Sequence, residues 1–175
     1  MSIDAKNFKA ALGKFASGVT VVTVRSADGE DHGMTASAFT SLSLDPPLII
    51  VCIKNENRTY ELIEESDSFA VNILARTQEA ESNRFAGGYI DADGQWQRWP
   101  EDRDKFADLT ISRGEVSGAP LIEGSLASLD CRLEHILPGG DHGIFVGHVE
   151  GARVIEDEEP DALLYFGGRY GRFQA

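Results

Sequence analysis

Gly33-Met34-Thr35-Ala36-Ser37-Ala38-Phe39-Thr40-Ser41-Leu42-Ser43 is the stretch on which the fold turns. It is too small and too polar for a core strand, yet strong strand signals flank it. Upstream runs Val19-Thr20-Val21-Val22-Thr23-Val24, ending in the turn Ala27-Asp28-Gly29; downstream, Asp45-Pro46-Pro47 leads into the apolar run 48–53. Small residues let a backbone approach a flat ligand closely, and exposed N–H and O–H groups bind ring carbonyls or a phosphate. An edge strand with a turn has the same composition, so on residue chemistry alone both readings stand.

Working outward, Phe8, Ala11, Leu12 and Phe15 fall at i, i+3, i+4 and i+7, which predicts an amphipathic helix over 4–16 with Asp4 as its N-cap. Residues 58–66 and 77–86 read as helices and 69–74 as a strand. Residues 87–108 break the rhythm with Gly-Gly, Asp-Ala-Asp-Gly and Trp-Pro, and carry Trp96 and Trp99; a loop of this length is usually functional or mobile. Beyond it Ala127, Leu129, Cys131 and Leu133 alternate with Ser128, Asp130, Arg132 and Glu134, the period of two of a half-buried strand. After the turn Pro138-Gly139-Gly140-Asp141, residues 143–149 form another. The pattern predicts one mainly β domain over 1–175 with short helices, a closed or nearly closed antiparallel barrel.

Composition narrows the function. A net charge of −13 argues against nucleic acid and anionic membranes, which demand clustered Lys and Arg. No signal-like segment is visible, and the longest uncharged apolar run, 46–53, is far too short to span a bilayer. Cys52 and Cys131 are too few and too separated for a disulfide scaffold and read as buried thiols, which points to the cytoplasm. There is no Gly-x-x-x-x-Gly-Lys-Ser/Thr loop, no nucleophile elbow and no metal-binding spacing among His32, His135, His142 and His148, so no metal is expected. Gly168-Arg169-Tyr170-Gly171 supplies only part of a dinucleotide fingerprint and opens no helix.

Several motifs together nevertheless resemble the flavin reductase family: Gly-Val-Thr-Val-Val-Thr at 18–23, Thr-Ala-Ser-Ala-Phe-Thr-Ser-Leu-Ser-Leu-Asp-Pro-Pro-Leu at 35–48, Asn-Arg-Phe-Ala at 83–86, Gly-Ala-Pro-Leu-Ile-Glu-Gly at 118–124, and Gly-Asp-His at 140–142 followed by Gly147. They occur in order between Phe8 and Phe173. The resemblance implies a split β-barrel of the FMN-binding type, a homodimer, and NAD(P)H-dependent reduction of FMN or FAD for a separate flavin-dependent monooxygenase. NADH or NADPH would be the substrate. It further implies that Thr35, Ala36, Ser37 and Ala38 line the isoalloxazine, that Ser41, Thr59 and Arg84 hold the ribityl phosphate, and that Cys52 and Ile53 present strand backbone to the flavin. His142 would contact the nicotinamide nucleotide, with Tyr170 closing over the rings. No residue is assigned as a catalytic acid, base or nucleophile, because the cofactors carry the hydride chemistry. Two departures stand out: an excursion at 89–104 longer than expected, and Ser128 where an aromatic residue is usual. Two other activities fit the same motifs. One is a flavin-binding module for storage or sensing; the other is an oxidoreductase that keeps its flavin and acts on an organic substrate.

Overall fold

The computed structural model describes residues 3–156 and 161–172; Phe173, where the resemblance ends, lies outside them. In chain order the elements are α1 (Ala5–Leu12), β1 (Ser17–Gly18), β2 (Thr20–Arg25), β3 (Asp31–Ala36), β4 (Phe39–Leu44), β5 (Pro47–Lys54), α2 (Arg58–Ser66), β6 (Ser68–Ile73), a 3-10 turn (Arg76–Gln78), α3 (Glu79–Phe85), β7 (Gly88–Ile90), β8 (Trp96–Arg98), β9 (Ile111–Arg113), β10 (Pro120–Ile122), β11 (Ala127–Gly139), β12 (His142–Val154), β13 (Leu164–Phe166) and β14 (Arg169–Gly171). The chain is mainly β with three short α-helices.

One seven-stranded antiparallel sheet, in the order β3-β2-β6-β11-β12-β5-β4, carries the fold. Its two edges, β3 and β4, are consecutive in the chain and joined only by Ser37-Ala38. Seven strands laid flat would put those edges ~29 Å apart at a spacing of ~4.8 Å. Three peptide links from Ala36 to Phe39 reach at most ~11 Å. The sheet is therefore rolled until its edges approach at this corner, although no ladder joins β3 to β4 among the described residues. The stretch 33–43 thus makes two edge strands and the corner between them.

Inside the roll, Val22, Val51, Ile53, Phe69, Val71 and Phe145 meet Leu62 and Ile63 of α2 in the main core. A second cluster on the outer face joins Val21, Leu74, Phe85, Phe106, Ile122 and Leu163. Strand β2 is buried on both faces, which is why it reads as a β-branched run without alternation.

Some expectations shift. The first helix stops at Leu12, closed by Gly13, and none of its residues is buried. Strand β11 runs on to Gly139 and pairs with β12 over its whole length; the turn shrinks to Gly140-Asp141, with Gly140 at φ +78°. The first part of the polar face of β11, which alternation assigns to solvent, is covered, while Arg132 and Glu134 stay exposed. Ser128 and Asp130 are each 5% exposed. Asp130 accepts from the Val116 and Ser117 amides and the Ser117 hydroxyl, and Ser128 Oγ donates to Asn72 Oδ1. The segment 111–122 lies over them and supplies the partners of Asp130, while that of Ser128 is Asn72 on β6. Cys131, on the opposite face, is buried in the core, and burial pushes its thiol up to about 12.

Candidate functional site

At the Ser37-Ala38 corner the roll opens into a cleft of two connected lobes. The first, about 550 Å³, lies between Ser37, Ala38, Thr40 and Cys52 on one side and Leu12, Phe15 and the β13–β14 turn on the other. The second, about 420 Å³, runs past Thr35 and Ser37 to Glu79, Ser82 and Asn83 of α3, and is walled by Trp96 and Tyr170. Ser37, Tyr165 and Gly168 belong to both. A larger cavity of about 700 Å³ lies under the loop 98–106, with acids and bases mixed along its wall; of the small-residue stretch it touches only Gly33. The cleft, not that cavity, gathers the candidate residues.

Local chemistry holds the cleft in shape. Thr35 Oγ1 donates to the Ser82 carbonyl at 2.6 Å, tying β3 to α3. The Tyr170 hydroxyl sits 2.8 Å from Ser82 Oγ and donates to Asn83 Oδ1 at 3.0 Å, so β14 is stapled to the same helix. Burial raises the Tyr170 phenol above its usual range; the Ser82 hydrogen bond opposes this and the Glu79 carboxylate adds to it. The two sheet edges supply backbone. An edge strand leaves a row of N–H and C=O groups without a ladder partner, and both edges converge here. No Lys or Arg is among the described residues lining either lobe. Among the described residues that line them, Glu79 is the one charged side chain.

The candidate residues fall into three groups. Thr35, Ser37, Ala38, Cys52 and Tyr170 line the cleft. Ala36, Ile53 and Thr59 are buried: Ala36 and Ile53 turn into the core, and Thr59 packs on α2 with its amide capped by Asn57. What Ala36 and Ile53 offer a ligand is therefore backbone. Ser41, Arg84 and His142 stand apart. Ser41 pairs with Ile49, while Thr40 pairs with Ile50 on the cleft face, so the Ser41 side chain belongs to the other face of the sheet. Arg84 sends Nη1 to the carbonyls of Lys105 and Ala107, and its guanidinium lies 4.9 Å from the Trp99 ring centroid. His142 pairs with Lys54, in register on the same face as the Ile144–Cys52 pair. Its Nδ1 lies 2.7 Å from Asp141 Oδ1, and that hydrogen bond holds the Asp141 carboxyl below its usual range.

Several cleft residues had no role in the sequence reading: Glu79, Ser82, Ile90, Trp96 and Tyr165 among them. Asn83 sits inside the recognised Asn-Arg-Phe-Ala motif, and Trp96 in the conspicuous excursion, so both carried a signal. Glu79 and Tyr165 carried none.

The arrangement suits a flat, largely neutral ring system held by backbone groups and hydroxyls. It offers no nucleophile beside a base among the described residues that line it, and no group of three metal-binding side chains is present among the described residues.

The model of the family described as "Flavin reductase like domain" matches residues 12–174. The reductase component of 4-hydroxyphenylacetate 3-monooxygenase from Thermus thermophilus is 41% identical over 165 residues, covering 94% of each chain. The reductase subunit of a flavin-dependent monooxygenase from Rhodococcus jostii is 36% identical, over 97% of this chain and 78% of that protein. Among solved structures, an NADH:FAD oxidoreductase of Streptomyces globisporus in complex with NAD and FAD fragments superposes with a TM-score of 0.83 at 35% identity, over 99% of this chain and 97% of the other.

Proposed function

The chain belongs to the flavin reductase like domain family, and from that premise we propose that it oxidises NADH or NADPH to reduce FMN or FAD, which then leaves for a separate flavin-dependent monooxygenase. The observation that carries this reading is the cleft at the Ser37-Ala38 corner: it offers edge backbone and hydroxyls to a flat ring and, among the described residues that line it, no nucleophile beside a base. Flavin and nicotinamide supply the hydride acceptor and donor when bound. The protein's contribution is to align them and exclude water, and holding reacting atoms near ~3.5 Å supplies most of such a rate enhancement.

Ser37 and Ala38, with the backbone of Ala36, Cys52 and Ile53, form the ring-binding wall in this reading, and Thr35 borders the ring from the second lobe. Ser82 and Tyr170 close the far end. Arg84 meets a phosphate with Nε and Nη2, since its Nη1 is committed to Lys105 and Ala107; Ser41 and Thr59 are its proposed companions. The Asp141 bond orients the His142 ring toward nicotinamide nucleotide. No metal takes part.

The same premise supports a split barrel, with the rolled sheet as the barrel and the β3/β4 gap as the split. It also supports a homodimer. Phe8 is 50% exposed, Leu12 57% and Phe15 77%, and an apolar surface of this kind, on α1 and just past its end, calls for a second surface. Leu12 and Phe15 line the first lobe, so the partner would help complete the site. No helix among the described residues is long and apolar enough to cross a membrane, and a cytoplasmic setting is part of the proposal.

The test is NADH and NADPH oxidation with FMN, FAD and riboflavin in turn. Turnover with free flavin is expected. Bound flavin without nucleotide oxidation would replace the reading with a binding module. Flavin retained through gel filtration would favour an enzyme acting on an organic substrate.

A further inference from the structure

We propose that the lobe between Trp96 and Glu79 holds an adenosine whose ribose hydroxyls are free, and that Glu79 rejects one carrying a 2′-phosphate. The proposal rests on the flavin reductase reading for the place of the flavin ring, which takes the other lobe.

Four observations carry it. First, the lobe is the right kind of space: about 420 Å³, continuous with the ring-binding lobe through Ser37, Tyr165 and Gly168. Second, it has an aromatic wall held ready. Trp96 is half exposed, and a Cβ at Gly88 would collide with its indole, so the ring is seated against the Gly88 backbone. A base stacks on such a face without sequence-specific hydrogen bonds. Trp99, by contrast, is 8% exposed, its indole N–H donated to the Arg103 carbonyl and its ring flanked by Arg84 and Arg103. That indole is structural, and Trp96 is the one left to a ligand.

Third, the polar groups suit a ribose. Glu79 is exposed at the lobe's wall, and no ion pair engages it among the described residues. A carboxylate accepts both hydroxyls of a vicinal diol but repels a phosphate on either one. Fourth, among the described residues no Lys or Arg lines the lobe to offset that repulsion. The 2′-phosphate of NADPH would meet net negative charge.

Two molecules bring such an adenosine: NADH and FAD. Their shared fragment is AMP, so binding of AMP and of 2′-phospho-AMP to the intact protein, measured by calorimetry, tests the lobe without relying on turnover. AMP is expected to bind at least tenfold more tightly than 2′-phospho-AMP. Glu79→Gln should narrow that gap to within about threefold, and Trp96→Leu should weaken AMP about tenfold, the loss expected for one stacked base. Equal binding of the two fragments, or a gap untouched by Glu79→Gln, would overturn the proposal. The source is then read from Trp96→Leu. A weaker Kd for FAD with FMN unchanged assigns the lobe to the flavin's adenosine. A higher KM for NADH, with FMN as acceptor, assigns it to the nucleotide. If neither moves, the lobe holds no adenosine in the working enzyme. Loss of NADH oxidation in the wild-type chain, with AMP binding intact, would strike the reductase reading and leave the fragment result standing.

Discussion

Two halves of the rolled sheet's exterior are covered in opposite ways. Over β6 and β11 the chain buries polar groups under its own segment 111–122. Asn72, fully buried, donates to the Val21 and Pro120 carbonyls and to Thr23 Oγ1, and accepts from Ile122 N and Ser128 Oγ. Around the cleft the reverse holds. Leu12, Phe15 and Phe166 are apolar and bare, with Phe15 77% exposed. Buried polar groups are tolerated where each finds a partner, and exposed apolar ones persist where another surface or a ligand arrives. The first half is finished within one chain. The second is left open to others. Damage to the closed half should therefore cost stability, and damage to the open half should cost association or binding.

The sharpest break in the closed half is Asn72→Ala, which strands several buried partners at once. We expect a loss of about 3 kcal/mol, from unsatisfied buried groups at about 1–3 kcal/mol each, read as a lower urea midpoint. Flavin affinity of the fraction that stays folded should not change. A midpoint within error of wild type would mean the 111–122 cover contributes little.

The next largest effect belongs to the open half. Leu12→Asp with Phe15→Asp should convert a dimer to a monomer by light scattering, since hot-spot losses at an interface are about 2 kcal/mol or more. The far-ultraviolet circular dichroism should persist, because no α1 side chain is buried in the single chain. A wild-type chain already monomeric at micromolar concentration would remove the proposed partner surface.

Arg84→Ala joins the two halves, because Arg84 anchors the loop at Lys105 and Ala107 from a helix that lines the cleft. FMN and FAD should weaken about tenfold or more and riboflavin much less, as expected when a charge-assisted bond to phosphate worth about 1.5–3 kcal/mol is lost. Equal losses for all three flavins would leave Arg84 as a loop anchor only.

Alkaline pH probes the closed interior. Cys131 has an ordinary value of 9.0 that burial raises to about 12, so the unfolded chain gives up its proton first. Its contribution is fully present below pH 9 and is lost as pH rises toward 12, at up to about 1.4 kcal/mol per pH unit. Cys131→Ala should shift stability by a constant offset only below pH 9 and flatten the slope above it; an unchanged slope would assign the alkaline loss elsewhere. The smallest expected effect is at the rim. His142→Ala should raise the KM for NADH about fivefold with flavin Kd unchanged, the pattern of lost uniform binding. A large fall in kcat with KM intact would make His142 a proton donor.

Much of the fold was legible in the residues. Apolar run 48–53 and the alternation at 127–133 mark strands because side-chain period follows directly from backbone geometry. The small-residue, hydroxyl-rich stretch 33–43 marks a place where backbone stays accessible, and its motif carries the family. What no local pattern contains is which segment covers which face. Alternation says that Ser128 and Asp130 point away from Cys131, but only the arrival of 111–122 decides that they are buried. The same limit applies in the cleft. Glu79, Trp96 and Tyr170 are far apart in the chain, and it is the roll of the sheet and the bonds from Tyr170 to Ser82 and Asn83 that bring them to one wall. Even for Arg84, recognised by its motif, the direction of the guanidinium was set by Trp99 and two loop carbonyls. Backbone periodicity is a property of neighbours in sequence, whereas burial, charge pairing and side-chain direction depend on atoms that meet only after folding.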